Sequence, residues 1–161
     1  MKILGIDPGL RVCGYAVIES DGEKLTEAGV LRTDDDMELS ERLNQIAADM
    51  ENLLERFCPS VVAVEELYSH YKHPKTAVLM AHARGVILQK AHRAGAKVMS
   101  FSATRIKKSV TGNGRAGKEQ VQRAIKSMLA LAEIPTPADV ADAIAAALCC
   151  ANEMNFKAII K

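Results

Sequence analysis

The stretch KILGIDPGLRVCGY, Lys2 to Tyr15, decides how the rest of the chain is read. Its apolar run Ile3-Leu4-Gly5-Ile6 reads as a buried strand that begins almost at the first residue and ends on a carboxylate, Asp7. Pro8 fixes φ and Gly9 tolerates φ > 0, so a tight turn is expected directly after the acid. The run Gly14-Tyr15-Ala16-Val17-Ile18 returns as a second strand, which makes a hairpin with an acid at the end of its first strand. Taken alone, Asp7 would do no more than cap that turn. Acids at matching places further along the chain give it another meaning.

Composition bounds the problem. A chain of 161 residues, 48% of them hydrophobic, suits one domain with a proper core, and the lack of Trp makes that core aliphatic. One domain is expected over 1–156, with a short tail over 157–161. No apolar segment approaches the ~20 residues of a membrane span, and the interrupted apolar start makes a poor signal peptide. Cys13, Cys58, Cys149 and Cys150 show no CxxC or Cys/His spacing. They read as small apolar residues in the reducing cytoplasm, not as zinc ligands or a disulfide framework.

The net charge of +1 hides an uneven distribution. Residues 1–66 hold 15 acids and 6 Lys or Arg, whereas residues 67–118 hold 11 Lys or Arg, all four histidines and no acid. An acid-free span of that length resembles a footprint for a polyanion, and nucleic acid is the obvious candidate.

Further along, 24–33 reads as a third strand after an Asp21-Gly22 turn, and Asp34-Asp35-Asp36 supplies the acidic start of a helix over 37–57. The run Ser60-Val61-Val62-Ala63-Val64-Glu65 is continuously apolar, as in a parallel strand buried on both faces, and it too ends on an acid. Adjacent strand residues face opposite ways, so only one of Glu65 and Glu66 can share Asp7's side, and Glu65 continues the buried strand. After the loop Tyr68-Ser-His-Tyr-Lys-His73, helices are expected over 74–94, 103–110 (capped by Ser102) and 118–131, with a short strand over 96–101. On the first of these, Ala77, Met80, Ala81, Ala83, Ile87, Leu88 and Ala91 form a broad apolar arc. Leu79 and Val86 fall roughly opposite it, where either a loop covers them or they meet a second copy of the chain.

The loop Thr111-Gly-Asn-Gly-Arg-Ala-Gly117 before Lys118 is not a P-loop, because Glu119 stands where Ser or Thr is needed. A glycine-rich basic loop leading into a helix still approaches phosphates well. The last helix, expected over 138–150, carries Asp139 and Asp142 three apart on one face amid almost wholly apolar neighbours. Two acids there are costly unless positive charge faces them, and a metal is the nearest source. Asp7, Glu65, Asp139 and Asp142 together offer only oxygen ligands, which suits Mg²⁺ or Mn²⁺, and four acids can hold two such ions.

GIDPG on the first strand, AVE on the fourth, GNGRAGKEQV before a helix and ADVADA on the last helix resemble the RuvC-type Holliday-junction resolvases, over nearly the whole chain. The resemblance implies an α/β, ribonuclease-H-like fold: a five-stranded mixed sheet flanked by helices. It implies a homodimer that nicks four-way DNA junctions in pairs in recombination and repair, with two Mg²⁺ per active site (Mn²⁺ able to substitute), and that works with a branch-migration motor. By motif position Asp7, Glu65, Asp139 and Asp142 take the catalytic, metal-binding roles. Lys107 and Lys118 match basic positions that contact DNA near the site, and Tyr68 falls where the family places an aromatic, usually Phe, near the junction's bases. Arg115, from the acid-free span, is expected on the same DNA path. Another ribonuclease-H-like nuclease fits the GRAGK and ADVAD segments poorly. Sugar-kinase and actin-type ATPases need two such domains, and a non-catalytic junction-binding module would lack one of the four acids.

Overall fold

Apolar runs that alternate with amphipathic ones produce a sheet covered on both faces. The computed structural model describes residues 1–21, 24–67 and 74–159. Its strands are β1 (Lys2–Asp7), β2 (Val12–Glu19), β3 (Leu25–Arg32), β4 (Val61–Glu65) and β5 (Lys97–Phe101). Its helices are α1 (Leu39–Phe57), α2 (Pro74–Arg93), α3 (Ala103–Thr111), α4 (Lys118–Met128) and α5 (Ala138–Ile159). Tyr68 and the rest of its loop lie outside the described residues, as does Gly22 of the expected Asp21-Gly22 turn.

The sheet order is β3-β2-β1-β4-β5. The first three strands form an antiparallel meander, and β4 and β5 continue from β1 in parallel, so the sheet is mixed as expected. Strand alternation sorts the core into two layers. Leu4, Ile6, Val17, Val62 and Val64 pack against α1 and α2. Ile3, Ala16, Ile18, Val61 and Ala63 pack against α3, α4 and α5. From Val140 to Ala151 every residue of α5 is buried except the half-buried Asp142.

Several boundaries depart from expectation for identifiable reasons. The Asp34–Asp36 run is not the first turn of α1; the helix begins at Leu39, where the Glu41 side chain accepts the Glu38 N–H at 3.0 Å. Asp35 is instead paired with Arg11 and Arg42. Helix α4 stops at Met128, short of the expected 131, because Ala130 turns left-handed (φ 48°). The Leu131 N–H then closes on the Lys126 carbonyl at 2.9 Å and the Ala130 N–H on Ser127, a Schellman ending without its usual glycine. Helix α5 runs nine residues past its expected end at 150. No breaker follows Cys150, and Asn152 and Glu153 are tied to Ser109 and Arg105 of α3. Gly9 is needed for space and not for a positive φ, since a Cβ there would overlap the Val12 carbonyl. Cys13, Cys149 and Cys150 are buried, but Cys58 is exposed and ends α1 in the left-handed region (φ 45°).

Helix α2 differs most in its faces. Val86 packs into the layer with α1, not away from it, and Ala81 is exposed. The exposed large apolar residues of the helix are Val78 (55%) and Leu79 (38%), both in its first half. Among the described residues, no helix is long and apolar enough to cross a membrane.

Candidate active site

Register, more than any single contact, assembles the site. On β1 the odd positions Ile3 and Gly5 face α5, and Asp7 continues that row. Ile6 lies beside Val64 in the parallel pair, so Asp7 falls next to Glu65 at the same edge of the sheet. Glu66, one residue on, is exposed and faces the other way, beside Leu67, Ala81 and Arg84. Its backbone N–H donates to the Phe101 carbonyl at 2.9 Å.

Across from Asp7 on β2 stands Gly14. A Cβ at Gly14 would overlap the Asp139 carbonyl and crowd the Asp139 Cβ at 3.2 Å. Its absence lets the first turn of α5 settle directly on the hairpin and brings Asp139 to the row of Asp7. Gly5 does the same one step deeper, admitting Ala143 and Ala147. Asp142, one turn after Asp139, stands on the same helix face. Sequence reasoning missed Gly14; the signal available was a glycine inside a strand, directly opposite an acid in the hairpin register.

The acids load one another with negative charge. Burial, then repulsion from Asp142, Glu65 and Asp139, raises the Asp7 carboxyl from 3.8 to about 8, with Lys118 opposing. Burial and the Asp142 charge raise Glu65, and Lys107 pulls it back. Burial also raises Asp142, which Lys118 and Lys107 lower and Asp139 raises. The structure thus brings Lys107 of α3 and Lys118 of α4 to the four acids. Arg115 is exposed in the intervening loop, its N–H donating to the Asn113 side chain at 2.9 Å. That loop is not a slack connector: Thr111 bonds Lys107 and Asn113, and Ala116 is buried in the core.

These four half-buried carboxylates, all hard oxygen donors gathered at one edge, suit a divalent cation. They form an open row and not a closed cage. Among the described residues no three His, Cys, Asp or Glu side chains are grouped to hold an ion by themselves. Mg²⁺ usually takes only one or two carboxylates and fills its remaining positions with water and substrate phosphate, so an open row fits that ion. A cleft of about 380 Å³ adjoins the row, with Asp7 and Asp139 on one side and Leu10, Arg11, Thr76 and Leu79 among its other walls.

The raised Asp7 has a consequence for stability. Between pH 4 and 8 the folded protein keeps a proton that the unfolded chain has released, so this contribution is full below about 4 and is lost as pH rises through about 8. Asp7→Asn should therefore stabilise the metal-free protein at pH 8.5 by roughly 1–2 kcal/mol, less than full linkage gives because the edge is open to solvent. The gap should close at pH 5. Urea denaturation in EDTA at the two pH values measures it, and an equal difference at both would contradict the repulsion described.

Comparison with known proteins fits this geometry. The family model for crossover junction endodeoxyribonuclease RuvC matches residues 3–150. The chain is 49% identical to the crossover junction endodeoxyribonuclease RuvC of Rhodopirellula baltica over 91% of this chain and 84% of that protein. It is 44% identical to that of Heliobacterium modesticaldum over 97% of both. The structure of T. thermophilus RuvC in complex with Holliday junction substrate superposes with a TM-score of 0.90 at 32% identity, covering 98% of this chain and 96% of that one. A yeast mitochondrial Holliday junction resolvase shares the fold at 12% identity, with a TM-score of 0.64, covering 98% and 83%. The chain belongs to the RuvC family of crossover junction endodeoxyribonucleases.

Proposed function

We propose that this endodeoxyribonuclease resolves four-way (Holliday) DNA junctions by paired symmetric nicks, through phosphodiester hydrolysis, in recombination and repair. The observation that carries the reading is the convergence of acids from β1, β4 and α5 on one sheet edge, with Lys107 and Lys118 beside them. A relative at 32% identity has been seen in complex with Holliday junction substrate, which supports the same substrate here. The family's nucleases are metal-dependent; we infer Mg²⁺, two ions per site, with Mn²⁺ able to replace it, held by Asp7, Glu65, Asp139 and Asp142. When bound, such ions supply an activated water and steady the leaving oxygen of a phosphodiester.

The chain's own residues do the rest. Asp7 and Glu65 are fixed by adjacent strands, so their spacing is set by backbone hydrogen bonds and not by flexible side chains. Asp139 and Asp142 arrive on a helix whose other side is buried, which keeps them from turning away. Lys107, Lys118 and Arg115 meet the phosphate backbone, and Tyr68 stacks on bases near the crossover. The working place is the cytoplasm, alongside a branch-migration motor.

Asp7→Asn, Glu65→Gln or Asp142→Asn should each lower junction nicking by on the order of 10² or more, while junction binding in EDTA stays near wild type. More than about a tenth of the wild-type rate in any two of them would contradict the four-acid site; the assay is labelled four-way junction with and without Mg²⁺, set beside linear duplex.

Replacing Lys107, Arg115 and Lys118 together with Ala should flatten the slope of log K against log salt by up to about one unit per residue. An unchanged slope in titrations from low to moderate salt would remove these residues from the DNA path.

Two symmetric nicks need two equivalent sites, which a C₂ dimer provides by construction. Val78 and Leu79 offer an exposed apolar patch on α2 close to the cleft, and Val86, packed inward, is not part of it. Val78→Glu with Leu79→Glu should yield a folded monomer that nicks one strand at a time. Light scattering that finds the wild type monomeric at micromolar concentration, still cutting in pairs, would overturn the dimer.

A further inference from the structure

Behind the first hairpin lies a hydrogen-bonded lock that the chemistry above does not use. Thr33, a polar side chain buried just past β3, donates its hydroxyl to the Leu10 carbonyl at 2.5 Å. Its backbone N–H donates to the Arg11 carbonyl at 3.2 Å. Both carbonyls belong to the turn that follows Asp7. From α1, Arg42 reaches the same point with a side chain only 12% exposed. Its Nε donates to Thr33 Oγ1 at 2.9 Å, and a terminal nitrogen donates to Asp35 Oδ1 at 3.0 Å. The second Asp35 oxygen takes Arg11 Nε at 3.0 Å, so the turn is gripped by two carbonyls and one side chain.

These contacts are not equal. The Arg11–Asp35 pair is largely exposed and worth little by itself. Arg42 is different, because a guanidinium this sheltered from water is costly unless its donors stay paired. Its partner hydroxyl is at the same time committed to Leu10, so the guanidinium fixes the oxygen that holds the turn. Asp7 is the last residue of β1 and passes straight into that turn through Pro8. Freedom in the turn therefore becomes freedom in the Asp7 backbone.

We propose that Arg42, acting through Thr33 and Asp35, is a positioning residue that locks the turn over 8–11 and so holds Asp7 in register with the other metal-binding acids. This rests on the reading of the four acids as the divalent-metal site. Arg42 lines the cleft beside Asp7 but bonds Thr33 and Asp35, not any of the four acids, so its effect is on where a ligand stands. Partners of that kind around metal ligands commonly change metal affinity or activity by 10- to 100-fold when replaced.

The test uses the full-length protein and compares wild type with Arg42→Gln, Arg42→Lys and Thr33→Val. Mn²⁺ binding to the DNA-free protein is followed by electron paramagnetic resonance, alongside thermal melting and the Mg²⁺ dependence of junction nicking. Arg42→Gln and Thr33→Val should each weaken Mn²⁺ binding by on the order of tenfold and shift half-maximal nicking to higher Mg²⁺. Arg42→Lys should fall between, and Arg42→Gln combined with Thr33→Val should be no worse than the poorer single variant, since both act on the same Thr33 hydroxyl. A merely structural role predicts something else: a lower melting temperature with unchanged Mn²⁺ affinity in the folded protein, and that result overturns the proposal. Should Arg42→Gln fail to fold, Thr33→Val, nearly equal in size, decides by the same criterion. Wild-type protein that binds no Mn²⁺, or nicks junctions in EDTA, would instead bring down the metal-site reading and this inference with it.

Discussion

The close approach of the α5 backbone to the first hairpin is the contact on which the rest of the molecule depends. Gly5 and Gly14 lie under Ala143, Ala147 and Asp139, and any side chain at either glycine would strike helix backbone. A helix that lies so low on a sheet excludes water along its whole inner length, which is why the residues around Asp142 are buried. The same approach carries two acids onto an edge already holding two. Core packing and site geometry are therefore one feature here, and neither can be loosened without the other.

That arrangement works against stability in the metal-free protein. Four carboxylates near one edge repel, and the most enclosed of them, Asp7, resists ionising until about pH 8. Lys107 and Lys118 offset part of the repulsion but belong to different helices from the acids. They also come from the acid-free span of residues 67–118, so the basic stretch of the chain reaches the acidic edge itself. Incoming cations and phosphates meet a site whose electrostatics are unsatisfied without them, and unsatisfied charge of this sort is a common mark of functional edges.

Much of this was legible because it is local. Strands that end in acids, an apolar helix interrupted by Asp139 and Asp142, and the parity that separates Glu65 from Glu66 are all properties of short windows; the complete mixed sheet came from the family resemblance. What escaped is nonlocal or lacks a residue code. Gly14 has meaning only opposite Asp7 and beneath Asp139. Asp35, in the middle of an acidic run that resembles a helix start, has as partners Arg11 and Arg42 from two other elements. Helix α4 ends on a left-handed Ala130, where sequence rules look for glycine. The inward turn of Val86 depends on where α1 lies, which no wheel drawn for α2 alone contains.

The two faces of the sheet divide the labour, and Asp7 stands where they meet. Its side chain shares the α5 face with Glu65, while the main chain that follows it is tied to Thr33, which Arg42 holds from the α1 side. The cleft opens at this same point, walled by the turn, by Asp7 and Asp139, and by Thr76, Leu79 and Met80 of α2. A displacement arising on either face thus reaches the edge through one residue. Strand pairing alone would fix Asp7 against Glu65 but leave its C-terminal side unrestrained, and α5 alone would fix Asp139 but not the turn. Only with the helix seated on the glycines and the turn bonded to Thr33 is the position of Asp7 determined from both directions, as a site that must place reacting groups within a fraction of an ångström requires.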